Sequence, residues 1–482
     1  MKILFFNPPY VNFNGIKESG GHSMPLGLAY LASYLRERIN CDLTVVDAEA
    51  KGLNYEGIKQ AIIANKPDLI GITCPTPTMD HVFRTAEIIK KEIDPKITIV
   101  VGGVHPTALP LETIKNPLID FVVAGEGEIT FYELIKKLLA GQKDFEAISG
   151  LYFKKDGQVI ANPPRGFIAD LDIIPYPARD LFDLKLYCSA PTKKVSDQPD
   201  GTILTSRGCA YNCVHCISRT IWGRQIRFRS TQNVMAEIEE CINKFGIKEF
   251  NILDDTFTLN QKRALEICAE IIRRKLGIAW IAFSRANTLT DELAEKMKLA
   301  GCKKISFGLE SGSQAILNLM RKQATIEEGR RAVAVVVRHG ILAHASFMFG
   351  NIGETEETIK ETVAFAKSLP LDNATFFITS PFPGTELYEI AKANRAINEK
   401  TKWEEFAPLT NAPPILVQDK VSKDRLIYWQ KRAFKEFYLR PKYILFKLKQ
   451  LNSFGAVKNV LVGLGIFFRI AAKQTLMGKK TK

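Results

Sequence analysis

Residues 205–216 read TSRGCAYNCVHC and follow the short β-favouring run 202–205. Cys209, Cys213 and Cys216 are separated by a four-residue step and then a three-residue step. Three thiolates so spaced can hold an iron–sulfur cluster and leave one iron without a protein ligand. An iron left open in this way serves chemistry rather than architecture. Structural zinc is the alternative, but it takes four protein ligands. His215 sits between two of the cysteines and cannot easily share a metal with both, and no later CxxC follows. Thiolates favour soft metals, which suits iron and sulfur. A non-catalytic redox or regulatory sensor would keep the cysteines but would need no polar groups converging on the open iron.

Downstream, strand-like segments recur at 202–205, 249–253, 278–284, 304–308, 342–350 and 373–379, with helical segments between most of them. Six βα units in this order predict a partial barrel with its chemistry at the C-terminal mouth. Upstream, residues 1–140 alternate short apolar strands with amphipathic helices, the rhythm of an open parallel α/β sheet. Ligands of such sheets sit beyond the strand C-termini. The loops there are 7–10, 74–80, 102–106 and 125–128, and the last two are glycine-rich enough for backbone to approach a flat, bulky ligand. The expected division is an α/β domain over 1–145 and a connector over 146–198, carrying a hairpin at 150–160 and then a proline-rich stretch through Pro175 and Pro177. A barrel over 199–395 and a basic, largely helical extension over 396–482 complete it.

A chain of 482 residues predicts two or three domains, and 46% hydrophobic with 24% charged residues describes a folded protein. Met1-Lys2 runs directly into the apolar 3–6 and then Pro8-Pro9, which reads as a first strand rather than a secretory signal. The remaining cysteines, Cys41, Cys74, Cys188, Cys241, Cys268 and Cys302, are scattered and mostly in apolar contexts, so free thiols and a reducing cytoplasm are expected. The net charge of +14 is carried wholly by residues 420–482, where 16 Lys and Arg meet two acids, Asp424 and Glu436. Nucleic acid or an anionic membrane surface would both attract such a tail. Within it, Val457, Val460, Leu461, Leu464, Phe467, Phe468 and Ala471 share one helical face, with Lys458, Arg469 and Lys473 near the other. That pattern predicts a helix lying in a membrane interface or against the protein rather than spanning a bilayer, and it argues against a nucleic-acid partner.

CxxxCxxC at the end of a first barrel strand resembles the radical S-adenosylmethionine superfamily. Further matches are ILDDTFT at 252–258, Ser284-Arg285, GLESGS at 308–313, GETEET at 353–358 and SPFPGTELY at 380–388. The resemblance implies a [4Fe–4S] cluster whose open iron chelates the amino and carboxylate groups of S-adenosylmethionine. An external one-electron reductant such as flavodoxin or ferredoxin would then drive cleavage to a 5′-deoxyadenosyl radical. The ligand ammonium asks for an acceptor, Asp255 or Asp254. Its carboxylate asks for a cation, Arg285 beside Ser284, and its ribose hydroxyls suit Glu310 with Ser311 alongside. Each has a structural alternative: Asp254 could cap the segment after it, and Glu310 could pair with a nearby basic group.

Residues 1–140 are similar to the cobalamin-binding domain that precedes the radical domain in one large subgroup. The matching runs are MPLGLAYLASYL at 24–35, VVGGVHPTALP at 100–110 and VVAGEGE at 122–128. The fold class implied is α/β: a Rossmann-like cobalamin-binding domain, a partial (β/α)6 barrel and a helical extension. Corrin contacts are expected from Thr76, Pro77, Met79, Gly102, Gly103 and Val104, and from Gly125, Glu126 and Gly127, with Glu126 hydrogen-bonding to the corrin periphery. His105 is read either as a ligand contact or as turn packing. The DxHxxG pattern that supplies a histidine beneath cobalt is missing, because MDHVFR (79–84) has Asp80 adjacent to His81 and no glycine after it. Cobalamin is therefore expected without a lower histidine ligand. The subgroup includes methyltransferases acting on unactivated carbon or phosphinate phosphorus, anaerobic cyclases, and lipid- or hopanoid-modifying enzymes. Methyl transfer to an unactivated carbon of a hydrophobic or small-molecule substrate is the reading favoured. Cyclisation, rearrangement or other C–H functionalisation with the same cofactors is the alternative.

Overall fold

The computed structural model describes residues 1–10, 21–190, 194–407, 414–418 and 420–448. Strands β1 (Lys2–Asn7), β2 (Asp42–Asp47), β3 (Leu69–Thr73), β4 (Thr98–Gly102) and β5 (Phe121–Val123) form a parallel sheet in the order β2-β1-β3-β4-β5. Ile3, Leu4, Phe5 and Phe6 are all fully buried, because helices cover both faces, and so the strand is an unbroken apolar run. Leu26–Arg36 and Gly127–Leu139 pack on one face, and Tyr55–Asn65 and Met79–Glu87 on the other. The strand order reverses between β1 and β3, and sheets of this kind bind ligands beyond such a point, here past Asn7 and Thr73.

The expected hairpin forms as β6 (Leu151–Lys155) and β7 (Gln158–Ala161), but it does not stand apart as a connector. β6 pairs antiparallel with β5, Phe121 opposite Phe153, and extends the first sheet to seven strands. A three-residue edge strand offers unpaired backbone, and the hairpin satisfies it.

The second sheet holds β8 (Asp200–Ile203), β9 (Glu249–Ile252), β10 (Ala279–Ser284), β11 (Cys302–Glu310), β12 (Leu342–Phe349) and β13 (Asn373–Ile378), parallel and in chain order. This is the expected partial barrel, with β8 and β13 at its edges. The helix Lys423–Tyr438 covers the β13 edge. There Gln430 Nε2 donates to the Phe376 carbonyl at 2.9 Å, and Tyr438 Oη bonds to both Ala374 N and Ala374 O. The next helix, Pro441–Leu448, docks at the start of the barrel strands, where Tyr443 Oη donates to Asp372 O and Lys447 pairs with the Asp372 carboxylate.

The apolar run over 454–472 lies outside the described residues. No helix among the described residues is long and apolar enough to cross a membrane. All nine cysteines are free thiols. Cys74, Cys241, Cys268 and Cys302 are buried as expected, whereas Cys41 is half-buried and Cys188 is exposed.

Candidate active site

The three-cysteine loop leaves β8 through Gly208 at φ +104°, where an added Cβ would lie 2.8 Å from the Gln225 carbonyl. Only glycine fits that turn. Below it, Ser206-Arg207 pairs antiparallel with Arg227-Phe228 and closes the base of the loop. Above it, Val214 N donates to Met320 O at 3.2 Å, and Leu387 N donates to Val214 O at 3.0 Å. The loop is thus tied to the segments that follow β11 and β13. Among the described residues no three Cys, His, Asp or Glu side chains converge on one point as a single ion would require. A cluster instead takes one thiolate per iron, and three free thiols spread along one anchored loop fit that donor pattern. His215 turns its Nδ1 inward without a partner, and burial pushes its imidazole down to about 4.

The paired acids after β9 separate. Asp254 is buried and accepts from Thr205 N (2.6 Å), Thr205 Oγ1 (2.5 Å), Ser206 N (3.1 Å) and Ser206 Oγ (2.6 Å). It pins the start of the cysteine loop and has no lone pair directed at a ligand. Asp255 is exposed and takes one bond from Ser218 Oγ at 2.5 Å. Ser284 is likewise a scaffold residue, buried against Thr258 Oγ1 at 2.7 Å. Arg285 lies flat over Tyr211, 3.5 Å from the ring centroid, with Nη1 3.6 Å from Cys213 Sγ and its Nε unpartnered. Its Nη2 donates to the Lys322 carbonyl.

Glu310 ends β11 with φ +64°, a left-handed conformation rare for a residue with a side chain. Its Oε1 accepts from Lys322 Nζ at 2.8 Å, and both side chains are buried. Burial alone would raise the Glu310 carboxyl, but Lys322, His215 and Arg285 hold it below the usual range. Gly308 makes room for this fold-back, since a Cβ there would meet Glu310 Oε1 at 2.3 Å. Lys322 is the basic partner weighed for Glu310 but not located from sequence, and only its place twelve residues downstream hinted at it. Ser311 bonds Thr362 Oγ1 at 3.1 Å and caps Ser313 N, so its hydroxyl serves the turn. Glu354, in the GETEET turn after β12, accepts from Gly350 N and Asn351 N, and burial raises its carboxyl to about 7.

At the edge of the first sheet, Thr76, Pro77 and Thr78 form a buried turn. Met79, expected at the corrin, is fully buried in the core with its Sδ 3.3 Å from Cys74 Sγ, because it already belongs to the helix packed on the sheet. Gly102 faces the Val123 carbonyl, and Gly103, at φ +105°, packs against Thr73 and Cys74. Val104 opens the short helix Val104–Ala108. His105 is buried, its Nδ1 3.3 Å from Thr76 Oγ1 and its Nε2 without a partner. Burial lowers its pKa to about 4, so the ring is neutral. Trp403, from the extension, meets it edge-on at 4.6 Å between ring centroids; an aromatic pair, Trp403 and Phe406, within a polar stretch was its only sequence signal. His81 bonds Tyr55 Oη at 2.9 Å between the helices beside the sheet. Gly127 packs on Leu31, while Gly125 faces open space. Glu126 does not face a corrin: Arg207, Arg227 and Ile168 N occupy its carboxylate. The orphaned Nε2 of His105, the open side of Gly125 and the switch point between β1 and β3 fit a flat ligand with polar groups at its rim.

Residues 15–135 match the model of the B12 binding domain, and residues 203–366 match that of the Radical SAM superfamily. An uncharacterised methyltransferase of Pyrococcus horikoshii is 38% identical over 466 residues, covering 96% of this chain and 98% of the relative. The chain belongs to the cobalamin-binding radical SAM family. It is an enzyme of that family, and its cofactors are a [4Fe–4S] cluster, S-adenosylmethionine and cobalamin. The anaerobic magnesium-protoporphyrin IX monomethyl ester cyclase of Rubrivivax gelatinosus is 30% identical over 450 residues, covering 92% of this chain and 78% of that one. Among solved structures, the methyltransferase TsrM of Kitasatospora setae shares the fold at a TM-score of 0.66 and 21% identity, over 82% of this chain and 76% of its own.

Proposed function

We propose that this enzyme transfers a methyl group to an unactivated carbon of a hydrophobic or small-molecule substrate. The observation that carries this reading is the contact between the loops that follow the strands of the two domains. A Cβ on Gly384, after β13, would lie 2.9 Å from Ile217 and Thr220 beside the cysteine loop and 3.1 Å from Ala108 of the first domain. The loops that follow the strands of both domains therefore meet at Gly384. When bound, the cluster with S-adenosylmethionine supplies a carbon-centred radical, and cobalamin supplies the methyl group.

Cys209, Cys213 and Cys216 hold the cluster in this reading. Asp255, exposed and only singly bonded, accepts from the ligand ammonium, while Asp254 keeps the loop in place. Arg285 sets its guanidinium beside Cys213 and pairs with the ligand carboxylate. The Glu310–Lys322 pair faces the ribose hydroxyls, its carboxylate held ionised as an acceptor. Gly102, Gly103, Thr76 and His105 line the corrin edge with backbone and neutral groups. Near-full-length similarity to a cyclase supports cyclisation as a second reading. An external one-electron reductant completes the partner set, and the basic charge beyond residue 420 supports contact with an anionic membrane surface.

Methyl-labelled S-adenosylmethionine separates the two reactions. The reconstituted enzyme is incubated with hydrophobic candidate substrates, and a product heavier by one labelled methyl is expected. A product that has lost hydrogens without gaining label would replace methyl transfer by cyclisation.

A further inference from the structure

Two acids of the first domain and two arginines of the barrel form a buried chain of ion pairs, Glu128–Arg207–Glu126–Arg227. Arg207 Nη1 donates to Glu126 Oε1 at 2.7 Å, and Arg207 Nη2 to Glu128 Oε1 at 2.6 Å. Arg227 Nη1 reaches both Glu126 oxygens, at 2.8 and 2.7 Å. All four residues are no more than 6% exposed. The connector is tied into the same chain, since Ile168 N donates to Glu126 Oε2 and Ile168 O accepts from Arg227 Nη1. Aromatic faces close it off: Arg207 lies 5.1 Å from the Trp222 ring, and Arg227 lies 4.9 Å from that of Phe167.

Position gives the chain of ion pairs its consequence. Arg207 is separated from Cys209 by Gly208 alone, and Arg207 and Arg227 are the paired residues at the base of the cysteine loop. Glu126 and Glu128 follow β5 and flank Gly127, on the edge that carries Gly102, Gly103 and His105. The charges balance two against two, so removing one leaves a buried charge uncompensated. Arg207 directs one Nη to each acid, a geometry that sets direction as a point charge would not.

We propose that Glu126, Glu128, Arg207 and Arg227 are positioning residues that lock the corrin-binding edge in register with the cluster loop, so that the radical source and the methyl donor address the same substrate atom. This rests on the proposed function for its purpose, although the register would serve cyclisation equally.

The test uses full-length enzyme loaded with cluster and cobalamin, in wild type, Glu128→Gln and Arg207→Lys, the second variant keeping the charge but not the fork. Iron content, corrinoid content and Tm are measured first. The enhancement of the reduced cluster's electron-spin relaxation by cob(II)alamin then reports how the two centres lie relative to each other. The expected result is enhancement in wild type that weakens in both variants at unchanged occupancy. It should be accompanied by at least about a tenfold rise in 5′-deoxyadenosine released per product, because small misplacements uncouple reacting groups. Wild-type relaxation and wild-type coupling ratios in both variants would overturn the proposal. So would a loss of Tm or cofactor content with unchanged relaxation in the loaded molecules, or an absence of enhancement in wild type. A cyclised rather than methylated product would defeat the methyl-transfer reading and leave the relaxation result standing.

Discussion

The barrel mouth and the edge of the first sheet, whose loops meet at Gly384, carry opposite chemistry. Successive barrel strand ends bring a thiol loop, the exposed Asp255, Arg285 and the Glu310–Lys322 pair, all polarised and held by neighbours. The sheet edge offers glycine backbone, Thr76 and a neutral His105, while its two acids turn away into the other domain. A zwitterion that chelates iron needs opposite charges at fixed points. A flat macrocycle needs area and close backbone approach. The difference shows that glycine and acid in one loop need not serve the same ligand: in GEGE Gly125 leaves room and the acids join domains.

The comparison breaks most sharply at the cysteines. Cys213→Ala should abolish the reduced-cluster electron paramagnetic resonance signal and S-adenosylmethionine cleavage, while corrinoid absorbance persists; an unchanged signal would place the cluster elsewhere. Next comes the buried pair. Lys322→Met should weaken S-adenosylmethionine binding by about 10- to 100-fold, the range of a lost charge-assisted bond, as read by calorimetry. Unaltered affinity would remove the pair from the ligand site.

The adjacent acids should then diverge. Asp254→Asn strips acceptor capacity from a carboxylate with four donors and should lower stability by about 3 kcal/mol, with reduced iron content. Asp255→Asn should leave Tm nearly unchanged and raise the Kd for S-adenosylmethionine about tenfold. Matching effects at both positions would contradict the split between anchor and ligand contact.

The smallest effect belongs to the sheet edge. His105 is held neutral with a pKa near 4, below the usual imidazole value. Between that value and about 6.5 the unfolded chain binds more protons than the native one, so stability is full above pH 6.5 and falls as pH drops toward 4. His105→Leu should make this part of the Tm profile shallower, the remaining fall belonging to His215, which burial lowers alike, and should weaken corrinoid retention with S-adenosylmethionine affinity unchanged. A profile as steep as that of the wild type would assign the slope to other groups.

Much of the fold was legible because apolar runs in fully covered parallel strands are continuous, and helices recur between them at a regular spacing. The cysteine loop was legible because its ligands are local in sequence. Asp254 and Asp255 were not separable by eye, since consecutive residues at a strand end project in different directions and only packing decides which one is buried. Met79 read as part of a loop but folds into the first turn of a helix. The hairpin at 151–161 was visible, but its pairing with β5 was not, because an edge strand accepts any partner that reaches it.

The amino-acid sequence by itself determined two α/β units, their order, the three-thiol loop and the chemistry such a loop supports. Those follow from periodicity and short-range spacing. Tertiary structure alone decided that Glu126 and Glu128 meet Arg207 and Arg227, that Lys322 holds Glu310, and that Trp403 lies against His105. In the first and last of these the partners are some 80 to 300 residues apart. Contacts over such distances carry no local pattern, because each side chain's partner is set by where the chain returns and not by what lies beside it.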